Sequence, residues 1–171
     1  MSLLRQFYPD ECTDSVYEID FRGWYARGYR GILFDVDNTL VPHGADATLQ
    51  AIAFFQELRD IGFDTCLISN NKEERVKRFA QPVGSRYLHK AGKPSRAGYQ
   101  KAMEMMGTDP GNTLFVGDQL FTDVYGARRA GVYSILTKPI HPKEEIQIVL
   151  KRYLERIVLF FYQREVAKNA R

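Results

Sequence analysis

The sequence predicts an α/β fold, doubly wound around a mostly parallel five-stranded sheet. Three observations lead there. Short apolar runs recur without alternation, as in strands buried on both faces. Helical patterns with capping signals separate them. Polar and acidic residues gather directly after the runs, where the carboxyl ends of parallel strands lie.

The runs are Gly31–Phe34, Phe63–Ile68, Arg86–Leu88, Thr113–Val116 and Val132–Leu136. Thr48 offers an N-cap for the first helix, which carries Leu49, Ile52, Ala53, Leu58 and Ile61 and stops at Gly62. A second helix is expected over Lys72 to Ala80 and a third from Ser95 to Gly107. The turn Asp109-Pro110-Gly111-Asn112 follows, and a fourth helix runs from Thr122 to Gly131. Strand and helix in strict alternation make a Rossmann-like, doubly wound sheet. The expected organisation is one domain over 1–171. Residues 1–28 form an N-terminal packing segment with the aromatics Phe7, Tyr8, Tyr17, Phe21, Trp24 and Tyr25. Residues 29–140 carry the sheet, and 141–171 a long C-terminal helix. That helix is read from about Glu144 to Lys168, with Ile146, Val149, Leu150, Tyr153 and Leu154 as a stripe covering the sheet.

The bulk composition excludes more than it assigns. Hydrophobic residues at 44% and charged residues at 26% belong to a globular chain, and a net charge of +3 selects no partner class. Cys12 and Cys66 form no metal-binding or disulfide pattern, and Cys66 reads as an inert core thiol. No signal peptide or run of ~20 apolar residues is present, so a reducing cytoplasm is the expected compartment. The basic cluster Arg75, Lys77 and Arg78 reads as a solvated helix face, and no nucleic-acid motif accompanies it.

The strand ends carry the chemistry. Asp35-Val36-Asp37-Asn38-Thr39-Leu40 follows the first strand, Ser69-Asn70-Asn71 the second, Lys93-Pro94 the third, and Gly117-Asp118 with Asp123 the fourth. Gathered carboxylates repel and lose solvation, and a divalent cation relieves both. Oxygen ligands without neighbouring His or Cys suit Mg²⁺. Lys93 suits a phosphate as a point charge, so the set has the parts for phosphoryl transfer. Each residue alone has a plainer reading, as turn, cap or solvated lysine. An EF-hand is the other reading of the first loop, but Leu40 stands where its glycine is needed and Asp46 where its last glutamate is.

These motifs, in this order from about Gly31 to Thr137, resemble the haloacid dehalogenase (HAD) superfamily of phosphohydrolases. Asp35-Val36-Asp37-Asn38-Thr39 matches its first motif, Ser69 the second, Lys93 the third, and Gly117-Asp118 with Asp123 the fourth. Within it the chain is similar to subfamily IIIA and the YqeG-like group, through Pro9-Asp10, Tyr17-Glu18-Ile19-Asp20, Gly117-Asp118-Gln119 and Thr122-Asp123. That group resembles the phosphatidylglycerophosphate phosphatases of mitochondria and plastids.

The resemblance implies the family strand order 3-2-1-4-5 and the following roles. Asp35 is the nucleophile; Asp37 is the acid for the leaving oxygen and then the base for water. Asp35, Asp118 and the Asp37 carbonyl hold Mg²⁺. Ser69 holds phosphoryl oxygens and Lys93 balances their charge. Thr39 and Asn70 support them in binding phosphate, and Asp123 orients Lys93 or a metal-bound water. One short helix fills each position where the superfamily inserts a cap, so no cap domain and an open site are expected.

The expected activity is hydrolysis of a phosphomonoester, with a membrane phospholipid as the leading substrate and a small soluble phosphate or phosphoprotein as the alternative. A receiver-type signalling domain is a further class, but its acceptor position offers only His89-Lys90-Ala91. Ile157–Tyr162, flanked by Arg152, Arg156, Arg164, Lys168 and Arg171, has two readings: a peripheral contact with the inner membrane face, or packing against the N-terminal segment or a second subunit of a homo-oligomer.

Overall fold

A computed structural model describes residues 3–141 and 146–170. Its sheet strands are β1 (Glu11–Thr13), β2 (Gly31–Phe34), β3 (Asp64–Ile68), β4 (Arg86–Leu88), β5 (Thr113–Gly117) and β6 (Tyr133–Thr137). They pair in the order β1-β6-β5-β2-β3-β4, all in parallel. The five expected strands stand in the expected order. A sixth, β1, extends the sheet beyond β6, with Glu11 opposite Ile135. Its three residues are never fully buried, so no apolar run marks it in the sequence. Asp10 pins it in place: its carboxylate accepts from the Ser134 N–H at 2.8 Å and the Ser134 hydroxyl at 2.9 Å.

The helices are α1 (Phe21–Ala26), α2 (Leu49–Ile61), α3 (Glu73–Val83), α4 (Arg96–Met106), α5 (Tyr125–Arg129) and α6 (Ile146–Asn169). Thr48 caps α2 through Ala51 N–H at 3.1 Å, and Gly62 closes it at φ 115°, a left-handed conformation that favours glycine. The expected fourth helix begins earlier than Thr122, as a π-helical turn over Leu120–Val124 that leads into α5.

Strand residues alternate between two cores. Ile32 and Phe34 pack with Phe21, Trp24, Phe55 and Phe79 on one face. Leu33 packs with Ile68, Tyr99, Met103 and Phe115 on the other. Each such fully buried side chain stabilises the fold by roughly 1.5–3 kcal/mol, so these layers fix the strand ends firmly. A small third cluster, Leu120, Val124, Leu136 and Val158, joins α6 to the sheet edge, with Leu4, Phe7 and Tyr8 packed on it.

The stripe expected on α6 is overturned. Val149, Leu150, Tyr153 and Leu154 are exposed, Leu150 by 68%. The face turned inward carries Arg152, Glu155, Val158 and Leu159. The rim at this edge offers the Asp118 carboxylate to Arg152 and the Leu120 N–H to Glu155, so polar contacts rather than apolar area orient the helix. The expected start at Glu144, the side chain of Ile146 and Arg171 lie outside the described residues. Among the described residues, no helix is long and apolar enough to cross a membrane.

Candidate active site

The sheet register assembles the site. Phe34 lies opposite both Val116 and Leu67, so Asp35, Ser69 and Asp118 leave neighbouring strands at one rim. Asp35 stays tied to β5 through its N–H on Val116 O at 2.9 Å. Beyond it the chain turns sharply: Asn38 takes φ 63°, a left-handed angle that Asn tolerates, and its N–H reaches Val41 O at 2.7 Å.

Lys93 is the hub of one half of the site. Its Nζ donates to Asp35 Oδ1 at 2.6 Å and to Asp123 Oδ1 at 2.7 Å, and all three side chains are buried. Asn70 fixes the Lys93 backbone from both sides: Lys93 N–H donates to Asn70 Oδ1 at 2.8 Å, and Asn70 Nδ2 donates to Lys93 O at 3.0 Å. Asn70, expected to help bind phosphate, thus spends its amide on positioning Lys93. Ser69 is buried, and its Oγ accepts from Asn71 N–H at 3.1 Å. Asp123 also accepts from Gln119 N–H at 3.1 Å, and Tyr99 donates to its carbonyl at 3.1 Å.

Gly117 makes room for this. A Cβ there would lie 2.6 Å from Asp123 Oδ2 and 2.8 Å from the Phe115 ring.

Asp35, Asp118 and Asp123 bring carboxylate oxygens within 4.8 Å of one another, all buried. Thr39 Oγ1 sits between two of them, 3.3 Å from Asp35 Oδ2 and 3.1 Å from Asp118 Oδ1. A hydroxyl has one proton, so it satisfies one acid at a time. Burial pushes Asp35 up to about 6, against the pull of Lys93, with Asp123 adding to the rise. Burial likewise holds Asp118 well above the usual carboxylate range, helped by Asp35 and Asp123 and opposed by Arg152. For Lys93, burial alone favours the neutral amine, but Asp123 and Asp35 outweigh it and raise its pKa.

Asp37 stands apart from this trio. Its Oδ1 accepts from Arg75 Nη2 at 2.7 Å and Gly44 N–H at 2.8 Å, and its Oδ2 from Asn71 Nδ2 at 2.8 Å. Arg75, expected on a solvated face, is turned inward with a side chain 13% exposed; Lys77 and Arg78 do stay exposed. The cue in the sequence is position, since the first turn of a helix that directly follows Ser69-Asn70-Asn71 must face the same rim.

The residue that sequence reasoning misses is Arg152 on α6. Its Nη1 donates to Asp118 O at 2.5 Å and to Glu155 Oε2 at 3.0 Å, and its Nη2 pairs with Asp118 Oδ2. Glu155 in turn accepts from Leu120 N–H at 2.8 Å. Between the inserted positions of a cap there are only α2 and α3, so α6 is what covers the Asp118 side of an otherwise uncapped rim.

The chain is similar to known proteins both in sequence and in fold. The model of the haloacid dehalogenase-like hydrolases matches residues 45–131. The chain is 33% identical to "Probable phosphatase YqeG" of Bacillus subtilis over 95% of its own length and 96% of that protein's. It is 29% identical to phosphatidylglycerophosphate phosphatase 1, chloroplastic/mitochondrial, of Arabidopsis thaliana, over 96% of this chain but only 50% of the plant protein. Among solved structures, the cobalt-bound deoxy-D-mannose-octulosonate 8-phosphate phosphatase of Haemophilus influenzae superposes with a TM-score of 0.52 at 13% identity, covering 64% of this chain and 68% of that one. An uncharacterized Listeria monocytogenes protein gives 0.52 at 16% identity, covering 68% and 86%. At these identities the structures speak for the fold alone. The extended match to the family model and to the Bacillus relative identifies this chain as a phosphatase of the haloacid dehalogenase-like hydrolases.

Proposed function

We propose that the protein hydrolyses phosphomonoesters through an aspartyl-phosphate on Asp35, with Mg²⁺, on a lipid phosphate such as phosphatidylglycerophosphate at a membrane surface. The observation that carries the reading is the pair of contacts from Lys93 Nζ to Asp35 and Asp123, with Asp118 beside them. The donor set fits a hard divalent cation. Three buried carboxylates face two cations, Lys93 and Arg152, and the raised Asp35 and Asp118 are acids short of positive charge. Asp35 and Asp118, with the Asp37 carbonyl, would hold the ion. When bound, it neutralises phosphoryl oxygens and fixes their orientation.

The chain's own residues do the rest. Asp35, raised to about 6, is mostly ionised at neutral pH and attacks phosphorus as the bond to the leaving oxygen breaks. Lys93 and Ser69 stabilise the phosphoryl charge. Asp37 gives a proton to the leaving oxygen and later takes one from the water that cleaves the aspartyl-phosphate. Arg75 occupies Asp37 Oδ1, so Asp37 can offer that oxygen to a leaving group only when Arg75 turns from it toward the bound substrate.

Two features support a lipid substrate. The Arabidopsis relative is named for one. In addition, α6 exposes Leu150, Tyr153, Leu154, Ile157, Phe160 and Phe161, flanked by Arg156 and Arg164, beside the Asp118 side of the site. Such a helix suits an anionic interface. The test is phosphate release with Mg²⁺ from dispersed phosphatidylglycerophosphate, glycerol 3-phosphate and p-nitrophenyl phosphate. A large preference in kcat/KM for the lipid is expected; equal turnover of glycerol 3-phosphate overturns the lipid assignment, and no release from any of them overturns the whole reading.

A further inference from the structure

Arg75 stands on the first turn of α3, directly after the run Ser69-Asn70-Asn71 that reaches both Lys93 and Asp37. Its guanidinium donates from Nη2 to Asp37 Oδ1 at 2.7 Å, and the two side chains form an ion pair. Nε and Nη1 are enclosed and find no acceptor among the described residues. The side chain is 13% exposed, so bulk water reaches little of it. A guanidinium cannot shed its charge to escape such a position. Buried donors without acceptors are costly, and at the rim of a site they mark where a ligand's oxygens belong.

The position of Arg75 tells which part of the substrate it meets. In the mechanism above, Lys93 and Ser69 attend the transferring phosphoryl on the Asp35 side. Asp37, as the acid, lies within about 3 Å of the leaving oxygen. Arg75 is bonded to that same carboxylate, so its fork lies within about 6 Å of the leaving oxygen, on the leaving-group side. Neighbouring acids are turned to other partners: Asp46 to Arg78 at 2.6 Å, and Glu73 to the Tyr87 hydroxyl at 3.1 Å. A fork of N–H groups pairs best with two oxygens of one phosphate or carboxylate.

We propose that Arg75 determines specificity by reading the leaving group: it binds a second phosphate or phosphodiester, carried by the leaving alcohol about one glycerol unit from the ester oxygen. The substrate class is a phosphomonoester with two anionic centres. Nε and Nη1, without acceptors in the protein, take theirs from this second centre. The inference rests on Asp37 as the acid and deepens the substrate assignment above. A lipid phosphate with a diester has this pattern, and so does a soluble bisphosphate. Arg75 recognises the chemistry they share.

Phosphate release with Mg²⁺ from glycerol 3-phosphate, glycerol 1,3-bisphosphate and dihexanoyl phosphatidylglycerophosphate tests it, in wild type and Arg75→Met. The readout is the ratio of kcat/KM for the bisphosphate to that for glycerol 3-phosphate. A loss of structure, of acid catalysis or of grip on the transferring phosphoryl lowers both values and leaves the ratio in place. The wild type is expected to favour the bisphosphate by about a hundredfold, and Arg75→Met by less than about threefold, with KM for the bisphosphate carrying most of the change. Arg75→Lys keeps the charge without the fork and is expected to retain a preference of about tenfold. A ratio equal in wild type and Arg75→Met overturns the inference, as does a wild type that turns over glycerol 3-phosphate as well as the bisphosphate. If Arg75→Met does not fold, an undiminished ratio in Arg75→Lys overturns it. Efficient turnover of the lipid, with no dependence on Arg75, refutes the inference and keeps the lipid assignment. A ratio that depends on Arg75, with the lipid no better than the bisphosphate, keeps the inference and moves the substrate off the membrane.

Discussion

The two sides of the acidic cluster are held by different means. On one side Lys93, Asp35 and Asp123 sit on strand ends and turns locked by both cores, and Asn70 clamps the Lys93 backbone. On the other, Arg152 and Glu155 arrive on a helix whose apolar anchorage is the small cluster around Val158. Buried positive charge is thus seated between the two main cores at Lys93 and on a lightly anchored helix at Arg152. A site built this way ties the alignment of its nucleophile to the sheet and that of Asp118 to α6 as well.

The largest effect that could break this contrast concerns the fixed side. Asp35→Asn is expected to lower turnover of p-nitrophenyl phosphate by about four orders of magnitude with an unchanged circular dichroism spectrum. Retention of a tenth of the wild-type rate would remove Asp35 from the nucleophile's role.

Next comes Lys93→Met. It strands Asp35 and Asp123 without their cation, so urea unfolding is expected to show a loss of about 3–5 kcal/mol, besides lost activity. A loss below about 1 kcal/mol would mean the sheet-held side is no more firmly built than the α6 side.

A pH series sharpens the contrast further. Asp35 rises from 3.8 to about 6 in the fold, so its protonated form contributes stability that is complete below about 3.8 and lost as pH climbs through about 6. Asp118 shifts in the same direction. The metal-free protein is therefore expected to lose stability across that window. Because a cation must displace those protons, Mg²⁺ affinity is expected to fall about tenfold per pH unit per proton below pH ~6, with proton release visible in buffers of different ionisation heat. An affinity flat between pH 5 and 7 would contradict the raised carboxyls.

The smallest effects belong to α6. Leu154→Ser is expected to change unfolding stability by less than about 0.5 kcal/mol, whereas Val158→Ala is expected to cost about 1–2 kcal/mol. The reverse ranking would mean the helix packs through its larger apolar stripe after all.

That helix also marks where the sequence stops being legible. The strands and the rim residues could be read because a doubly wound sheet converts chain order into position: whatever follows Phe34, Ile68 or Val116 must stand at the same edge. β1 escaped because its strand character comes from pairing with β6 and from Asp10, with no apolar run of its own. Arg75 escaped because a basic residue among others reads as solvated until its partner Asp37 is placed. On α6 the apolar spacing pointed the wrong way. The spacing is real, but a buried Asp118 and the Leu120 N–H draw Arg152 and Glu155 inward more strongly than the edge of the sheet draws Leu150 or Leu154.

Gly117 carries a consequence of its own. The space that a side chain would fill is held by Asp123 Oδ2, and the Phe115 ring blocks retreat on the other side. Gly117→Ala therefore adds one methyl group and no charge, yet it forces a shift at the Asp123 carboxylate, whose other oxygen holds Lys93. A looser hold from Asp123 makes Lys93 lean more on Asp35, the nucleophile. At this position steric bulk acts as an electrostatic variable, and a neutral substitution becomes a means of tuning how reactive Asp35 is.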